Sequence, residues 1–288
     1  MEPMPGNVRA LRGMLRRCEL CPRRCGVDRT AGEVGACRIG DQAVVASAGP
    51  HFGEEPVLVG RGGSGTIFFS GCNLDCVFCQ NADISHSCGG RRATAEAIAE
   101  TALGLQRAGC ENVNFVTPTH VAHAVAEAVV LLRRQGCAAP IVYNSGGYES
   151  VGTLRLLEGL IEIYMPDFKY GDAEAGRRYS GVADYPSVAA EALAEMFRQV
   201  GPLRLDARGV AARGVLVRHL VMPGDLAHSR EAIDTVARAA PGSAINVMEQ
   251  YRPAYRAAAF AELRGRAARA EVDALRDYAS ARGLVRVD

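Results

Sequence analysis

The 288-residue chain has no tryptophan, and its 33 basic residues are 32 arginines and one lysine, Lys169. No apolar run approaches the roughly 20 residues that cross a bilayer, which excludes a helical membrane span. Neither charge sign is in surplus: 33 basic residues stand against 32 acidic ones, for a formal net charge of +1. That balance gives no support for nucleic acid or an acidic membrane surface as partner. The basic start, residues 1–17, lacks the apolar stretch of a signal peptide. The expectation is a cytoplasmic protein whose cysteines are reduced. The length is ample for a buried core in one large or two small domains. An excess of Arg over Lys reflects codon composition and carries no function by itself. The position of the surviving lysine is the informative part.

What the chain does have is ten cysteines, unevenly spread. Cys18, Cys21, Cys25 and Cys37 lie near the start, Cys72, Cys76 and Cys79 lie together, and Cys88, Cys110 and Cys137 are isolated. In a reducing compartment such clusters read as metal sites rather than disulfides. A [4Fe–4S] cluster normally takes four thiolates, so the three of Cys72-x3-Cys76-x2-Cys79 leave one iron without a protein ligand. An open coordination position is an arrangement for catalysis. The competing reading is zinc with a distant fourth ligand. The loop follows a strand read at Thr66–Ser70, so it stands at a strand's C-terminal end, where barrel enzymes place their chemistry.

From Thr66 onward the pattern alternates. Strands are read at Thr66–Ser70, Val113–Thr117, Ile141–Ser145, Ile161–Phe168, Val215–Val221 and Ala244–Met248. Helices are read at Thr94–Ala108 with Thr94 as N-cap, Ala122–Gln135, Thr153–Leu160, Ala189–Val200, Ser229–Ala239 with Ser229 as cap, and Glu271–Ala281. Six alternating units imply an α/β fold with a parallel sheet. Residues 1–64 read as a Cys-rich metal-binding module with a connecting segment, and residues 65–288 as the α/β domain with a C-terminal helix.

The cysteine loop, with Phe78 just before its third cysteine, resembles the signature of the radical S-adenosylmethionine (SAM) superfamily. The resemblance implies a partial (β/α)6 TIM-like barrel and a [4Fe–4S] cluster on Cys72, Cys76 and Cys79. It also implies SAM on the open iron, and reductive cleavage of SAM to a 5′-deoxyadenosyl radical that abstracts hydrogen from a substrate. The backbone at Phe78 would contact adenine. The polar strand ends resemble one branch, the pyruvate formate-lyase activating enzymes, and within it an activating-enzyme-like (PflX-type) subgroup. Asp167-x-Lys169 resembles that family's SAM-contacting pair: Lys169 would neutralise the SAM carboxylate, and Asp167 would hold a polar group of SAM or of the lysine. Asn144-Ser145-Gly146 stands where the family has Thr-Asn-Gly, and Arg218 begins a segment resembling its Arg-x-x-x-x-Pro-Gly. The chain departs after the second strand, where Phe115–His120 replaces Gly-Gly-Glu. Thr117 and Thr119 are the candidate oxygen acceptors there. It departs again at Tyr143, where the family has Asp.

Cys18, Cys21, Cys25 and Cys37 offer four thiolates, enough for a closed zinc site or an auxiliary [4Fe–4S] cluster; zinc is the favoured reading. His120 is a candidate substrate contact by position, Cys88 a candidate hydrogen donor, and Tyr148 and Tyr251 are read as packing. The implied reductant is a flavodoxin or ferredoxin. The substrate is either a glycine on a glycyl-radical protein or another molecule modified directly. The competing class is non-catalytic: an iron–sulfur electron carrier or a zinc-knuckle binding protein. That class predicts both cysteine groups but not Asp167-x-Lys169.

Overall fold

In the computed structural model, which describes residues 3–287, ten strands form one sheet. They are β1 (Ala43–His51), β2 (Ser64–Phe69), β3 (Arg91–Ala93), β4 (Asn112–Val116), β5 (Ile141–Ser145), β6 (Ile163–Pro166), β7 (Arg204–Leu205), β8 (Ala211–Leu220), β9 (Ala244–Met248) and β10 (Val285–Arg286). The order is β10-β9-β8-β6-β5-β4-β2-β1-β3, with β7 beside β8. Every pair from β2 to β10 along that path is parallel; β1 pairs antiparallel with β2 and β3. The sheet is not closed, so the fold is a partial barrel of the six strands β2, β4, β5, β6, β8 and β9.

The helices are α1 (Gly6–Gly13), α2 (Pro56–Val59), α3 (Ala82–Ser85), α4 (Ala95–Arg107), α5 (Ala122–Arg134), α6 (Val151–Leu156), α7 (Ala173–Ser180), α8 (Tyr185–Val200), α9 (Ser229–Ala239) and α10 (Arg269–Ala281). Thr94 caps α4 as expected, its side chain accepting the Ala97 amide. Ser229 does not cap α9. It is the first helical residue, His228 takes the cap position in the left-handed region, and the Asp225 carboxylate accepts the Ser229 N–H at 2.8 Å. Among the described residues no helix is long and apolar enough to cross a membrane.

Strand alternation sorts the side chains into two layers. Tyr143, Tyr164, Val215, Val217, Ile245 and Val247 belong to the large core that the sheet shares with the helices. Their neighbours Val142, Ile163, Met165, Leu216 and Ala244 form a second, smaller core with Leu58 on the other face. Leu58 comes from α2, which fills the interior of the partial barrel. Its carbonyl accepts from Asn112 Nδ2 at 2.8 Å, and Asn112 in turn accepts from Ser64 Oγ at 2.7 Å. The Leu58 side chain is fully buried, a contribution of about 2 kcal/mol. Residues 54–58 thus form a plug through Glu55 and Leu58, which are buried, while Phe52, Gly53, Pro56 and Gly60 are exposed. Pro56 starts α2, and Gly60 ends it. The N-terminal residues Val8, Leu11, Leu15 and Leu20 join the large core.

Candidate active site

The cysteine loop leaves β2 through Gly71, whose φ of 82° favours glycine. A Cβ there would lie 2.6 Å from the Cys37 carbonyl oxygen. The backbone of the N-terminal cysteine segment therefore packs directly behind the loop. Three further braces fix the loop. The Val77 amide donates to the Tyr179 carbonyl at 2.9 Å, the Arg256 amide to the Val77 carbonyl at 2.9 Å, and Asn73 Nδ2 to the Tyr148 carbonyl at 2.7 Å. Cys76 Sγ is 2.9 Å from Ser180 Oγ, which itself pairs with the Tyr170 hydroxyl at 2.7 Å. Phe78 packs on Tyr251, ring centroids 5.9 Å apart.

The loop forms one wall of a cavity of about 380 Å³, and the strand ends form the rest. Alternation decides who faces it. After the inward Val142 comes the inward Asn144; after Met165 comes Asp167; after Leu216 comes Arg218. These three side chains are linked. Arg218 Nε donates to Asp167 Oδ1 at 2.9 Å, and its Nη2 donates to Asn144 Oδ1 at 2.7 Å. Lys169 Nζ donates to Asp167 Oδ2 at 2.6 Å. Gly147 makes this compactness possible: at φ 79°, a Cβ on it would fall 2.1 Å from the Asp167 carbonyl oxygen. The Tyr185 hydroxyl sits in the same turn, donating to the Asp167 carbonyl and accepting the Lys169 amide, each at 2.9 Å.

The electrostatics follow from burial and from these pairs. Burial opposes the charge of Asp167, but Arg218 and Lys169 outweigh it and hold its carboxyl below the ordinary range. Burial likewise opposes the charge of Lys169, yet Asp167 and the nearby Cys76 raise its pKa. Lys169 is therefore a fixed ammonium inside the cavity, beside the thiols. Burial pushes the Cys72 thiol up to about 12, with Cys76 and Cys79 adding repulsion, and Lys169 pulls it down. Cys76 is raised by the same burial.

The sequence model of the radical SAM superfamily matches residues 66–235, more than half of the chain. The chain belongs to the radical SAM superfamily. It is 32% identical over 276 residues to the uncharacterized protein MJ0674 of Methanocaldococcus jannaschii, covering 93% of this chain and 75% of that one. Among solved structures it is similar to the radical SAM methyltransferase TsrM from Kitasatospora setae. That similarity has a TM-score of 0.44 and 15% identity, over 65% of this chain and 37% of TsrM. TYW1, solved with a lysine-pyruvate adduct, matches with a TM-score of 0.40 and 14% identity, over 60% of this chain and 61% of its own. The chain thus spans little more than a third of TsrM, and such distant neighbours say nothing of its substrate.

Membership of the superfamily implies a [4Fe–4S] cluster and SAM, and the donor set fits them. Burial disfavours the thiolates of Cys72 and Cys76, which need a cationic partner to ionise, and an iron cluster supplies one. Among the described residues no three His, Cys, Asp or Glu side chains converge as they would on a single ion. A four-iron cluster is gripped at three separate irons, so spaced thiols suit it. The neighbouring ammonium of Lys169 and the carboxylate of Asp167 complement a zwitterionic amino-acid moiety such as that of SAM.

Of the residues singled out from the sequence, Cys72, Cys76, Cys79, Phe78, Thr117, Asn144, Ser145, Asp167, Lys169 and Arg218 all line this cavity. Thr117 does so with φ 60°, a strained left-handed conformation for a β-branched residue. Arg218 is present, but its fork is turned onto Asp167 and Asn144, so it positions Asp167. Thr119 is not on the cavity: it is buried behind the strands and donates its hydroxyl to Glu149. Tyr143 faces the same way by alternation, its hydroxyl 3.3 Å from Glu149 Oε2. His120 is no substrate contact, because its Nε2 pairs with the Ser70 carbonyl at 2.8 Å in the core. Burial holds its pKa down to about 4, and it stays neutral. Cys88 lines a separate small pocket beside Arg38 and Arg92. Tyr148 and Tyr251 pack, bonded to Asp184 and to the Leu263 carbonyl.

Sequence reasoning missed Glu149, Glu54 and Glu55. Glu149 is a fully buried acid pushed up to about 7 by burial, although Thr119, Ser145 and Tyr143 all bond it. Glu54 and Glu55 enter the cavity from the plug.

The N-terminal thiols lie behind the site. The Cys18 amide donates to the Val27 carbonyl at 2.9 Å and the Gly26 amide to the Cys18 carbonyl at 3.0 Å, forming a knuckle. Burial pushes the Cys21 thiol up to about 12, and Cys37 and Cys18 add repulsion. Arg29, almost wholly buried, places Nη1 3.8 Å from Cys18 Sγ while donating to the His120 carbonyl at 2.8 Å. Cys18, Cys21, Cys25 and Cys37 thus gather in one segment beside one buried cation, with burial and then repulsion raising Cys21 and Cys37, although among the described residues no three of them converge as they would on a single ion.

Proposed function

We propose that Cys72, Cys76 and Cys79 hold the [4Fe–4S] cluster and that Lys169 binds the carboxylate of SAM. The reaction would be reductive cleavage of SAM followed by hydrogen abstraction from a substrate. When bound, the cluster and SAM supply the electron transfer and the 5′-deoxyadenosyl radical. The chain's own residues do the rest. Lys169 presents a fixed charge, Asp167 orients that ammonium, and Arg218 with Asn144 holds Asp167 in place. Phe78 and the loop around it shield the cluster wall from water. The convergence of the only lysine in the chain with three thiols in one cavity carries this reading, and neither an electron carrier nor a zinc-knuckle protein accounts for it. A flavodoxin or ferredoxin is the proposed reductant.

The test is anaerobic reconstitution with iron and sulfide, then incubation with SAM and dithionite. Wild type should release 5′-deoxyadenosine, and Cys72→Ala should release none and hold less iron. Release by Cys72→Ala at the wild-type rate would refute the assignment. The activating-enzyme reading, in which the hydrogen comes from a glycine of a partner protein, is supported by the strand-end motifs alone. A glycyl-radical signal in cell extract after incubation would support it. The four N-terminal thiols are proposed as a second metal centre, with zinc as its metal and an auxiliary [4Fe–4S] cluster as the alternative.

A further inference from the structure

The cavity's charges do not balance at its inner end. Glu54 and Glu55, from the plug, face the same space as Asp167, Arg218 and Lys169. Asn246 Nδ2 donates to Glu55 Oε2 at 2.7 Å. Glu54 has no such partner. Its side chain is only 9% exposed, and its Oε2 is buried with no hydrogen-bond donor among the described residues. The nearest cation is Arg218, with Nη1 at 3.8 Å, beyond hydrogen-bond reach. Arg218 is not free to close that gap, since Asp167 and Asn144 anchor its planar fork on two other sides. A carboxylate oxygen held out of water without a hydrogen bond is costly unless something fills its place. Met222 and Met248 line the same cavity, soft apolar surfaces suited to an alkyl stem.

We infer that this end of the cavity is the substrate subsite, and that it recognises an ammonium or guanidinium group on an alkyl stem, bound by Glu54 with Glu55 beside it. The inference rests on the radical SAM reading and deepens it. Burial raises the Glu55 carboxyl against the pull of Asn246 and Arg218, and the charges of Glu54 and Asp167 raise it further, so an incoming cation meets a site that gains from its charge. The plug supplies both carboxylates from inside the barrel, leaving the strand ends to the cofactor.

The test uses reconstituted holoprotein with SAM present, titrated calorimetrically with three probes. Agmatine offers the cation on a free molecule, N-acetyl-Gly-Arg-Gly-amide offers it on a peptide, and pentane-1,5-diol is a neutral control. At least one cationic probe should bind and the diol should not. Whichever of the two binds more tightly identifies a free or a chain-borne cation. Glu54→Gln, which keeps the shape, should weaken that probe roughly ten- to hundredfold, the effect of losing one charge-assisted contact. The SAM affinity of the same variant is measured in parallel. Equal binding of the cationic probe to wild type and Glu54→Gln, equal binding of the diol, or no binding of any probe would overturn the inference. So would weaker SAM binding by Glu54→Gln, which would make SAM the cation. Failure of wild type to cleave SAM would instead strike the parent reading.

Discussion

Replacing Lys169 by arginine keeps the charge and tests whether the shape of the cation matters. The ammonium lies 2.6 Å from Asp167 Oδ2, and its side chain is 19% exposed. Its stem has little slack: a Cβ placed on Gly146 would be 3.6 Å from Lys169 Cε. An arginine would put its guanidinium carbon about where Nζ stands and push the terminal nitrogens roughly 1.3 Å further, one C–N bond length. Asp167 cannot retreat, because Arg218 and its own backbone contacts with Tyr185 fix it. The new fork must turn away either from Asp167 or from the bound carboxylate, losing one charge-assisted hydrogen bond. That is about 1.5–3 kcal/mol, or roughly a ten- to hundredfold rise in the Kd for SAM. Lys169→Met, which removes the charge, should lose at least as much. The assay is SAM binding to reconstituted holoprotein by calorimetry, with iron content measured alongside. Wild-type iron and a Kd within twofold of wild type for Lys169→Arg would refute the argument, and the lysine would be an incidental survivor of the drift to arginine.

Three other outcomes follow from the structure. Glu149 keeps its proton in the folded state up to about pH 7, whereas the unfolded chain releases it near 4.5. Its stabilising contribution is therefore present in full below pH 4.5 and lost as pH rises to 7, by about 3 kcal/mol; urea unfolding of Glu149→Gln should lack that component of the pH slope, and an unchanged slope would contradict it. Thr119→Val removes the donor to Glu149 and should cost about 1 kcal/mol of stability while leaving SAM affinity intact, so a weakened SAM Kd would restore Thr119 to the cofactor site. Anaerobically purified protein should carry one zinc and about four irons, the count for a single [4Fe–4S] cluster; Cys18→Ser should lose the zinc alone, and about eight irons without zinc would assign the second centre to iron.

The six parallel strands were legible because each is a short apolar run closed by polar residues, and Ile141–Ser145 and Ala244–Met248 match the observed bounds. The cysteine loop was legible because its spacing is itself the chemistry. β1 was not, since Ala43–His51 is rich in small residues, ends in Pro-His, and gains its strand character from pairing with β2 and β3 across a register shift. The error at Thr119 has a geometric cause. A position read along the chain as following a strand end says nothing of which side of the sheet the next turn faces, and the 3-10 turn at Thr119–Val121 carries that hydroxyl behind the strands.

The plug explains why the inner residues escaped the sequence altogether. Motif reading looks for chemistry after each strand's C-terminal end, because a packed barrel interior leaves no other place for it. A six-stranded partial barrel has an interior that its own strands do not fill, and here Glu55 and Leu58 enter it from a segment with no strand end and no motif. Leu58 completes the lower layer with Val142, Ile163 and Leu216. Glu54 and Glu55, four and three residues earlier, then stand one layer higher, level with Asn246 and Arg218. The hydrophobic anchor thus sets the height of the two carboxylates. A Leu58→Ala change should act at a distance: besides about 2–5 kcal/mol of stability, it should loosen the register of Glu54. It should therefore weaken binding of the cationic probe while leaving SAM binding, which rests on Lys169 and the strand ends, as it was.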